Sequence, residues 1–505
     1  MSSKAALQMT HRPQTLASVR SVHSITLAMV IAAAVLAGCA STGGLRPQGQ
    51  VRSIGSFASA QTLSAAEASG QWPAQNWWTS FDDAQLDRLI EQGLAGSPSL
   101  KEAQARTRLA LAAAHTAGAA RWPQLELSGS STRERFPQHG LIPPPYAGGW
   151  DTQNELSVNL SYELDFWGKY RSNYEQSLDA ARAADLDAHA ARVAISTAIA
   201  HAYIGMERDY LEQDVERTLL AERQQIYALT RARNAAGIVS MIDVEQAKSS
   251  LPDAREHITQ LDEAIGLRRD ALAALIGQGP DRGSAIARPQ VTMLPAPALP
   301  TRLPAELLGR RPDILALHWR IESAERGIAS AKAAFYPDVN LVALAGVADL
   351  GTGALFTAAN RQLGVGPALS LPIFYGGRLR AKLAERDAEY DIAVTRYNQA
   401  IANALRDVAD QLLALRSIAG QRAELEDGLA TAQTAYNLAL LRYREGVGDY
   451  LQVLTTHAEL LAQRLLEVEL RARAWDVSID LVGALGGGYV PARAAAGPGS
   501  SGTSR

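Results

Sequence analysis

The chain has 505 residues and a formal net charge of −3, with 20% of its residues charged. Lysine is scarce, arginine is scattered among Asp and Glu, and no basic block occurs, which argues against a nucleic-acid footprint. Apolar residues make up 47%, but much of this is alanine, which favours helix and close helix approach over a thick core of large side chains.

In chain order, Lys4, Arg12 and Arg20 precede an apolar run from Ile25 to Leu36 that is too short to span a bilayer as a helix. The run ends in Leu36-Ala37-Gly38-Cys39, and Cys39 is the only cysteine. This pattern resembles a bacterial lipobox. The resemblance implies a signal peptide over residues 1–38 and lipidation of Cys39, and the absence of Asp directly after it suits onward sorting to the outer membrane. Residues 39–71, rich in Gly, Ser, Ala and Gln, read as a lipidated flexible tether. Trp72, Trp77, Trp78 and Phe81 then cluster ahead of an N-cap at Asp82 or Asp83 and a short helix through Leu86, Leu89 and Ile90. Ser97-Pro98 opens a further helix to about Arg121.

Apolar and polar residues alternate without a break from Leu156 to Leu164, and again with Leu363, Val365, Pro367, Leu369, Leu371 and Ile373 on one face. This predicts strands over about 154–166 and 363–374, with partners over about 124–132 and 338–347. Strands of about ten residues with one apolar face meet the demands of a transmembrane β-barrel. The same alternation also fits a two-sided soluble sheet.

From Gly168 to about 236 the chain has no proline and only one further glycine, Gly205, which predicts a helix on the order of 100 Å long. A counterpart runs over about 377–445. Ile195, Ile199, Tyr203, Met206 and Tyr210 form one core stripe, and Ile401, Leu405, Val408, Leu412 and Leu415 another. Each long helix turns at a glycine-containing tip and returns, over about 240–277 and 449–486, with Pro252 expected to kink the first return. Six prolines make residues 280–304 an extended linker, and 490–505 read as a disordered tail.

The order strand, strand, long helix, return helix occurs twice. Leu160–Arg171 reappears as Leu369–Arg380, 209 positions on, and the same shift carries Gly237 onto Gly446 and Gly277 onto Gly486. Upstream, at a shift of 214, Pro98 falls on Pro312 and Pro123 on Pro337. The chain therefore holds two copies of one unit, at 72–279 and 305–489. Neither copy carries a catalytic constellation: there is no phosphate-cradling loop, no nucleophile elbow and no metal-ligand spacing among the histidines. No enzyme, metal or cofactor is expected, and His201 reads as a packing residue. Four strands cannot close a barrel, and an open edge cannot face lipid, so a membrane sheet of this kind has to pool strands with further copies of the chain. Two copies supply eight strands; three supply twelve and leave a lumen.

The sequence is similar to the TolC-type outer-membrane efflux factors. The residues that carry the likeness are Trp77-Trp78 with Phe81, Leu164-Asp165-Phe166-Trp167-Gly168-Lys169, Leu307-Leu308-Gly309-Arg310-Arg311-Pro312-Asp313-Ile314, Ala334-Phe335-Tyr336-Pro337 and Leu371-Pro372-Ile373-Phe374-Tyr375-Gly376-Gly377. Together with the lipobox they resemble the lipoprotein (NodT-like) branch. The resemblance implies an α+β membrane protein. Three chains would form a twelve-stranded transmembrane β-barrel, four strands from each, continued by a long α-helical coiled-coil periplasmic tunnel. It implies a passive exit duct for drugs or other small toxic compounds, working with a periplasmic adaptor (membrane-fusion) protein and an inner-membrane RND-type pump. Gly237, Ile238 and Val239, with Gly446, Val447 and Gly448, then correspond to adaptor-docking tips. Asp243 and Tyr443 correspond to a gating hydrogen bond, set against ordinary helix capping by Asp243, and Asp449 is the nearest acidic residue to a mouth that departs from the family at Gly448, Gln452 and Thr455. A duct for metal ions or for type I protein secretion, and a lipid-anchored coiled-coil scaffold without a pore, are the alternatives.

Overall fold

The computed structural model describes residues 42–57, 71–291, 307, 309–351, 353 and 355–491. Cys39, part of the proline-rich linker and the tail from residue 492 lie outside the described residues. Two compact units result. One comprises Met1–Gly49, Ala112–Leu178 and Glu322–Ile392; the other comprises Gln50–Leu111, Asp179–Ile321 and Ala393–Arg505.

The main elements in order are α1 (Ala84–Gly96), α2 (Pro98–Ala119), β1 (Gln124–Arg135), β2 (Trp150–Leu164), α3 (Lys169–Ala235), α4 (Met241–Leu275), α5 (Pro280–Ser284), α6 (Pro312–Ala333), β3 (Asp338–Leu350), β4 (Arg361–Ser370), α7 (Arg378–Arg444) and α8 (Tyr450–Ala484). The long helices α3 and α7 have 67 residues each and the returns α4 and α8 have 35 each. Helix α4 continues through Pro252. Among the described residues no helix is long and apolar enough to cross a membrane.

The four strands form one antiparallel sheet in the order β1-β2-β3-β4, leaving β1 and β4 as edges. The first hairpin is longer than the alternation suggested, because Thr132–Arg135 go on pairing with Trp150–Gln153. Its loop is closed by Phe136, whose amide donates to the Gly149 carbonyl at 3.0 Å and whose carbonyl accepts from the Gly148 amide at 3.1 Å. Strand β4 stops at Ser370 instead of running to 374: Pro372 has no N–H for a ladder and restricts the residue before it, so Leu371 and Ile373 fall beyond the sheet.

The register sorts the two faces. Leu125, Leu160, Ala343 and Val365 lie side by side across all four strands, as do Leu127, Val158, Ala345 and Leu363. Alternating with these apolar rows run Glu126, Asn159, Leu344 and Gly364, and Ser128, Ser157, Gly346 and Gln362. The second set is hydrogen-bonded side chain to side chain. Ser128 and Ser157 hydroxyls are 3.0 Å apart, and the Asn159 amide donates to Ser128 Oγ at 2.9 Å.

In the second unit, Trp77, Trp78, Phe81, Leu86, Leu89 and Ile90 are buried against Ile195, Ile199, Tyr203 and Met206 of α3 and Trp475 and Ile479 of α8. Asp83 fixes the entry to this core. One carboxylate oxygen caps α1 through the amides of Gln85 and Leu86, and the other accepts from the Tyr203 hydroxyl and the Gln290 amide, both at 2.8 Å. Residues 280–304, expected to be extended throughout, begin with the turn α5, and Ile286 and Val291 are buried in the same core.

Residues 42–57, expected as part of a flexible tether, are held along α7. In the first unit Gly43 lies against the Arg380 side chain, Leu45 packs with Ile328, Phe335 and Leu383, and the amides of Gln48 and Gly49 donate to Asp391 Oδ1 at 2.9 and 2.6 Å. In the second unit Asn398 accepts from the Arg52 amide at 3.0 Å and donates to the Gln50 carbonyl at 2.9 Å. Main-chain groups outside any ladder still require partners, and helix side chains supply them here.

Candidate functional site: strand ends and helix tips

At the edge of the sheet where strands meet helices, every strand is flanked by exposed aromatic side chains. Trp122 precedes β1, Phe166 and Trp167 follow β2, Tyr336 precedes β3, and Phe374 and Tyr375 follow β4. Phe374 is 87% exposed. The register brings these ends together, since Gln124 pairs with Ser161, Leu164 with Val339 and Asp338 with Ser370. Trp167 stacks on Tyr336 with centroids 4.7 Å apart and donates its indole N–H to the Pro337 carbonyl at 2.9 Å. An apolar face bounded by an aromatic band is the physical signature of a sheet that sits in a bilayer with its rings at the headgroup level.

The two tips are the same turn made twice. In the first, the Gly237 amide donates to Asn234 O at 2.9 Å and Ile238 to Arg233 O at 2.9 Å, with Gly237 at φ +72°. In the second, Gly446 donates to Tyr443 O at 3.1 Å and Val447 to Arg442 O at 3.0 Å, with Gly446 at φ +81°. Each glycine takes the left-handed position that ends a helix, which a side chain would strain. Ile238 and Val447 are exposed just beyond it, with Val239 and Gly448 half-buried beside them. The turns then differ. Ser240 and Asp243 cap α4 reciprocally, the Asp243 carboxylate accepting from the Ser240 amide at 2.8 Å. Asp449 alone caps α8, accepting from the Gln452 amide at 2.8 Å.

The structure does not bring Asp243 and Tyr443 together. Asp243 is engaged with Ser240 in its own turn. Tyr443, 1% exposed, places its hydroxyl 2.9 Å from Thr230 Oγ1 on α3. The Arg233 guanidinium lies over the Tyr443 ring, 4.5 Å from its centroid, and donates to the Tyr443 carbonyl at the end of α7. Tyr450, Tyr436, Ile226 and Val453 complete the buried cluster that joins the two hairpins near their tips. Thr230 and Arg233 were not singled out from the sequence. Their signal was the continuation of an apolar stripe, Leu219 and Ile226, by two polar residues at helical spacing that are also buried.

Farther along the helices, His201 is not a simple packing residue: it joins α3 to α8, Nδ1 2.7 Å from Asp476 and Nε2 3.0 Å from Asp480. Those carboxylates raise its pKa to about 9. His457 lies 2.6 Å from Glu222, and this hydrogen bond, helped by Arg464, holds the Glu222 carboxyl below its usual range. Among the described residues no group of His, Cys, Asp and Glu is arranged to hold a metal ion.

A sheet banded for a membrane, joined to helical hairpins whose tips interlock, is the architecture of a membrane channel subunit. The sequence model of the outer membrane efflux protein family matches residues 89–278 and 303–487. The chain is 38% identical over 370 residues to the fusaric acid resistance protein FusA of Burkholderia cepacia, covering 72% of this chain and 69% of that one. It is 30% identical over 439 residues to the multidrug resistance outer membrane protein MdtP of Escherichia coli K12, covering 84% and 88%. Its fold is similar to the crystal structure of the outer membrane protein VceC from Vibrio cholerae, with a TM-score of 0.78 and 37% identity over 83% of this chain and all of that one. The chain belongs to the outer membrane efflux protein family, and it is an outer-membrane channel component of an efflux system.

Proposed function

We propose that three copies of the chain pool their sheets into a twelve-stranded barrel, anchored beside it by lipid on Cys39, and that their helices form a periplasmic tunnel. The tunnel is a passive exit duct for drugs and other small toxic compounds delivered by an inner-membrane RND-type pump through a periplasmic adaptor. The observation that carries this reading is the sheet itself: two unpaired edges, apolar rows across all strands, and an aromatic residue at each strand's helix-side end. Unpaired edges cannot face lipid, so β1 has to meet β4 of another copy. The glycine tips at Gly237-Ile238-Val239 and Gly446-Val447-Gly448 dock the adaptor. The gate lies beside them, with Tyr443 held by Thr230 and Arg233, while Asp243 and Asp449 act by capping α4 and α8. The names of FusA and MdtP favour the drug-efflux class over metal-ion efflux or protein secretion. Purified protein is expected to run as a trimer in detergent and to conduct in planar bilayers, and a non-conducting monomer would overturn the duct in favour of the scaffold. Deleting the protein and measuring sensitivity to antibiotics, dyes and metal ions identifies the cargo.

A further inference from the structure

The two copies begin their long helices with the same cations and different partners. In the first copy, Lys169 is held by Glu163 at 3.2 Å and by Asp338 at 3.1 Å. The Arg171 guanidinium pairs with Glu175 at 2.9 Å, and its amide donates to Asp165 at 2.7 Å. Shifted by 209 positions, Lys169 and Arg171 become Arg378 and Arg380. Glu163, Asp165 and Glu175 become Pro372, Phe374 and Ala384. The second copy has kept both cations and lost the three carboxylates of its own repeat. Among the described residues neither Arg378 nor Arg380 has a carboxylate within 4.0 Å, and both are exposed. The next cation, Lys382, is already taken by Glu385 at 2.8 Å. Helix energetics do not explain the pair, since cations in a first helical turn oppose the macrodipole.

Their surroundings do explain it. Arg378 lies 4.6 Å from the centre of the Tyr375 ring, next to exposed Phe374 in the aromatic band. Arg380 lies beside the start of the strap along α7, where a Cβ built on Gly43 would come 3.6 Å from its Nε. Two guanidinium groups with no carboxylate partner among the described residues thus sit beside the aromatic rings that mark the level of lipid headgroups.

We infer that Arg378 and Arg380 form a docking site for the phosphate headgroups of anionic phospholipids in the leaflet facing the periplasm, with Phe374 and Tyr375 against the acyl boundary. The inference rests on the barrel reading. Guanidinium groups suit phosphate through forked donation, and basic residues at a membrane surface gain affinity for anionic lipid.

The test reconstitutes the full chain in nanodiscs of phosphatidylethanolamine with one-fifth phosphatidylglycerol and measures retained lipid by native mass spectrometry. Wild type is expected to enrich phosphatidylglycerol, each arginine contributing about fivefold. The double variant R378Q/R380Q is expected to lose that enrichment, R378K/R380K to keep most of it, and Arg171→Gln, whose residue is already paired, to leave it unchanged. No enrichment by wild type, unchanged enrichment in R378Q/R380Q, or equal loss in Arg171→Gln overturns the inference. Conductance of each variant is measured alongside, so a conducting channel without lipid preference sinks this proposal and leaves the duct standing.

Discussion

The contact between Tyr443 and Arg233 yields the sharpest prediction about the tips. Replacing Tyr443 by Phe removes one hydrogen bond, with Thr230, at a cost of about 1 kcal/mol. Thr230 keeps the Ile226 carbonyl at 2.9 Å as acceptor, so no buried hydroxyl proton is orphaned. Arg233→Met removes more. A charged donor to a helix-terminal carbonyl is worth about 1.5–3 kcal/mol and the ring contact about 0.5–2. Against this, Arg233 is 9% exposed, its Nε has no partner, and burial of the cation offsets part of the gain. A net loss of about 2 kcal/mol per chain shifts the balance between closed and open tips about thirtyfold. In planar bilayers the resting open fraction is therefore expected to rise in the order wild type, Tyr443→Phe, Arg233→Met. The double variant should rise by less than the sum, because the two residues share one contact. Asp243→Ala is expected to weaken the start of α4 by about 1 kcal/mol, visible as a lower Tm, and to leave conductance at the wild-type value. Conductance raised by Asp243→Ala to the Tyr443→Phe value, with Arg233→Met unchanged, would refute the assignment.

Other predictions follow from equally local features. A Cβ at Gly346 would lie 2.6 Å from the Leu156 carbonyl and 2.8 Å from Ser157 Cβ, so Gly346→Val should cost about 2–3 kcal/mol and lower the Tm of the purified protein; an unchanged Tm would contradict the tight pairing there. The His201 pKa of about 9 exceeds its unfolded value of about 6.5, so its contribution to stability is full below pH 6.5 and fades as pH rises through 9. The Tm of wild type minus that of His201→Gln should shrink over that interval; a constant difference would contradict the charged bridge. Asp391→Ala frees the Gln48 and Gly49 amides, which should exchange their hydrogens about tenfold faster while exchange in the α7 interior stays unchanged.

Much of the architecture was legible because it is periodic. Alternation over Leu156–Leu164 located a strand, and the proline-free stretches located the long helices; both readings rest on spacings that burial enforces. Strand ends were less legible, since Thr132–Arg135 pair through their backbone whatever their polarity, and Pro372 stops a ladder inside a pattern that continues to Ile373. The aromatic band was visible only as scattered residues until the register aligned Trp122, Trp167, Tyr336 and Phe374 at one edge. The strap along α7 was illegible because its composition is that of a linker, and what holds it is Asp391 and Asn398, more than 340 residues away. Tyr443 was legible as a tip residue. Its partner was not, because Asp243 has a nearer claim in Ser240, three residues away and already in capping geometry.

Divergence between the two tips bears on how such a gate would move. The counterpart of Tyr443 in the first hairpin is Asn234, whose side chain donates to the Val239 carbonyl of its own turn at 2.8 Å. The first tip is therefore closed on itself, by Asn234 and by the reciprocal Ser240–Asp243 cap. The second has the single Asp449 cap and a long contact from the Arg442 side chain to the Val447 carbonyl at 3.5 Å, and takes further support from the first hairpin, through Thr230 and Arg233. Breaking the contact between hairpins costs the second tip its carbonyl cap and its tyrosine hydrogen bond, and costs the first tip no part of its own turn. In the proposed gate the second hairpin is accordingly the one expected to swing, with the first as its fixed support. Hydrogen exchange in Arg233→Met should rise around residues 440–452 and remain at wild-type rates around 234–243. Equal increases at both tips would make the gate symmetric and assign the difference in capping to helix stability alone.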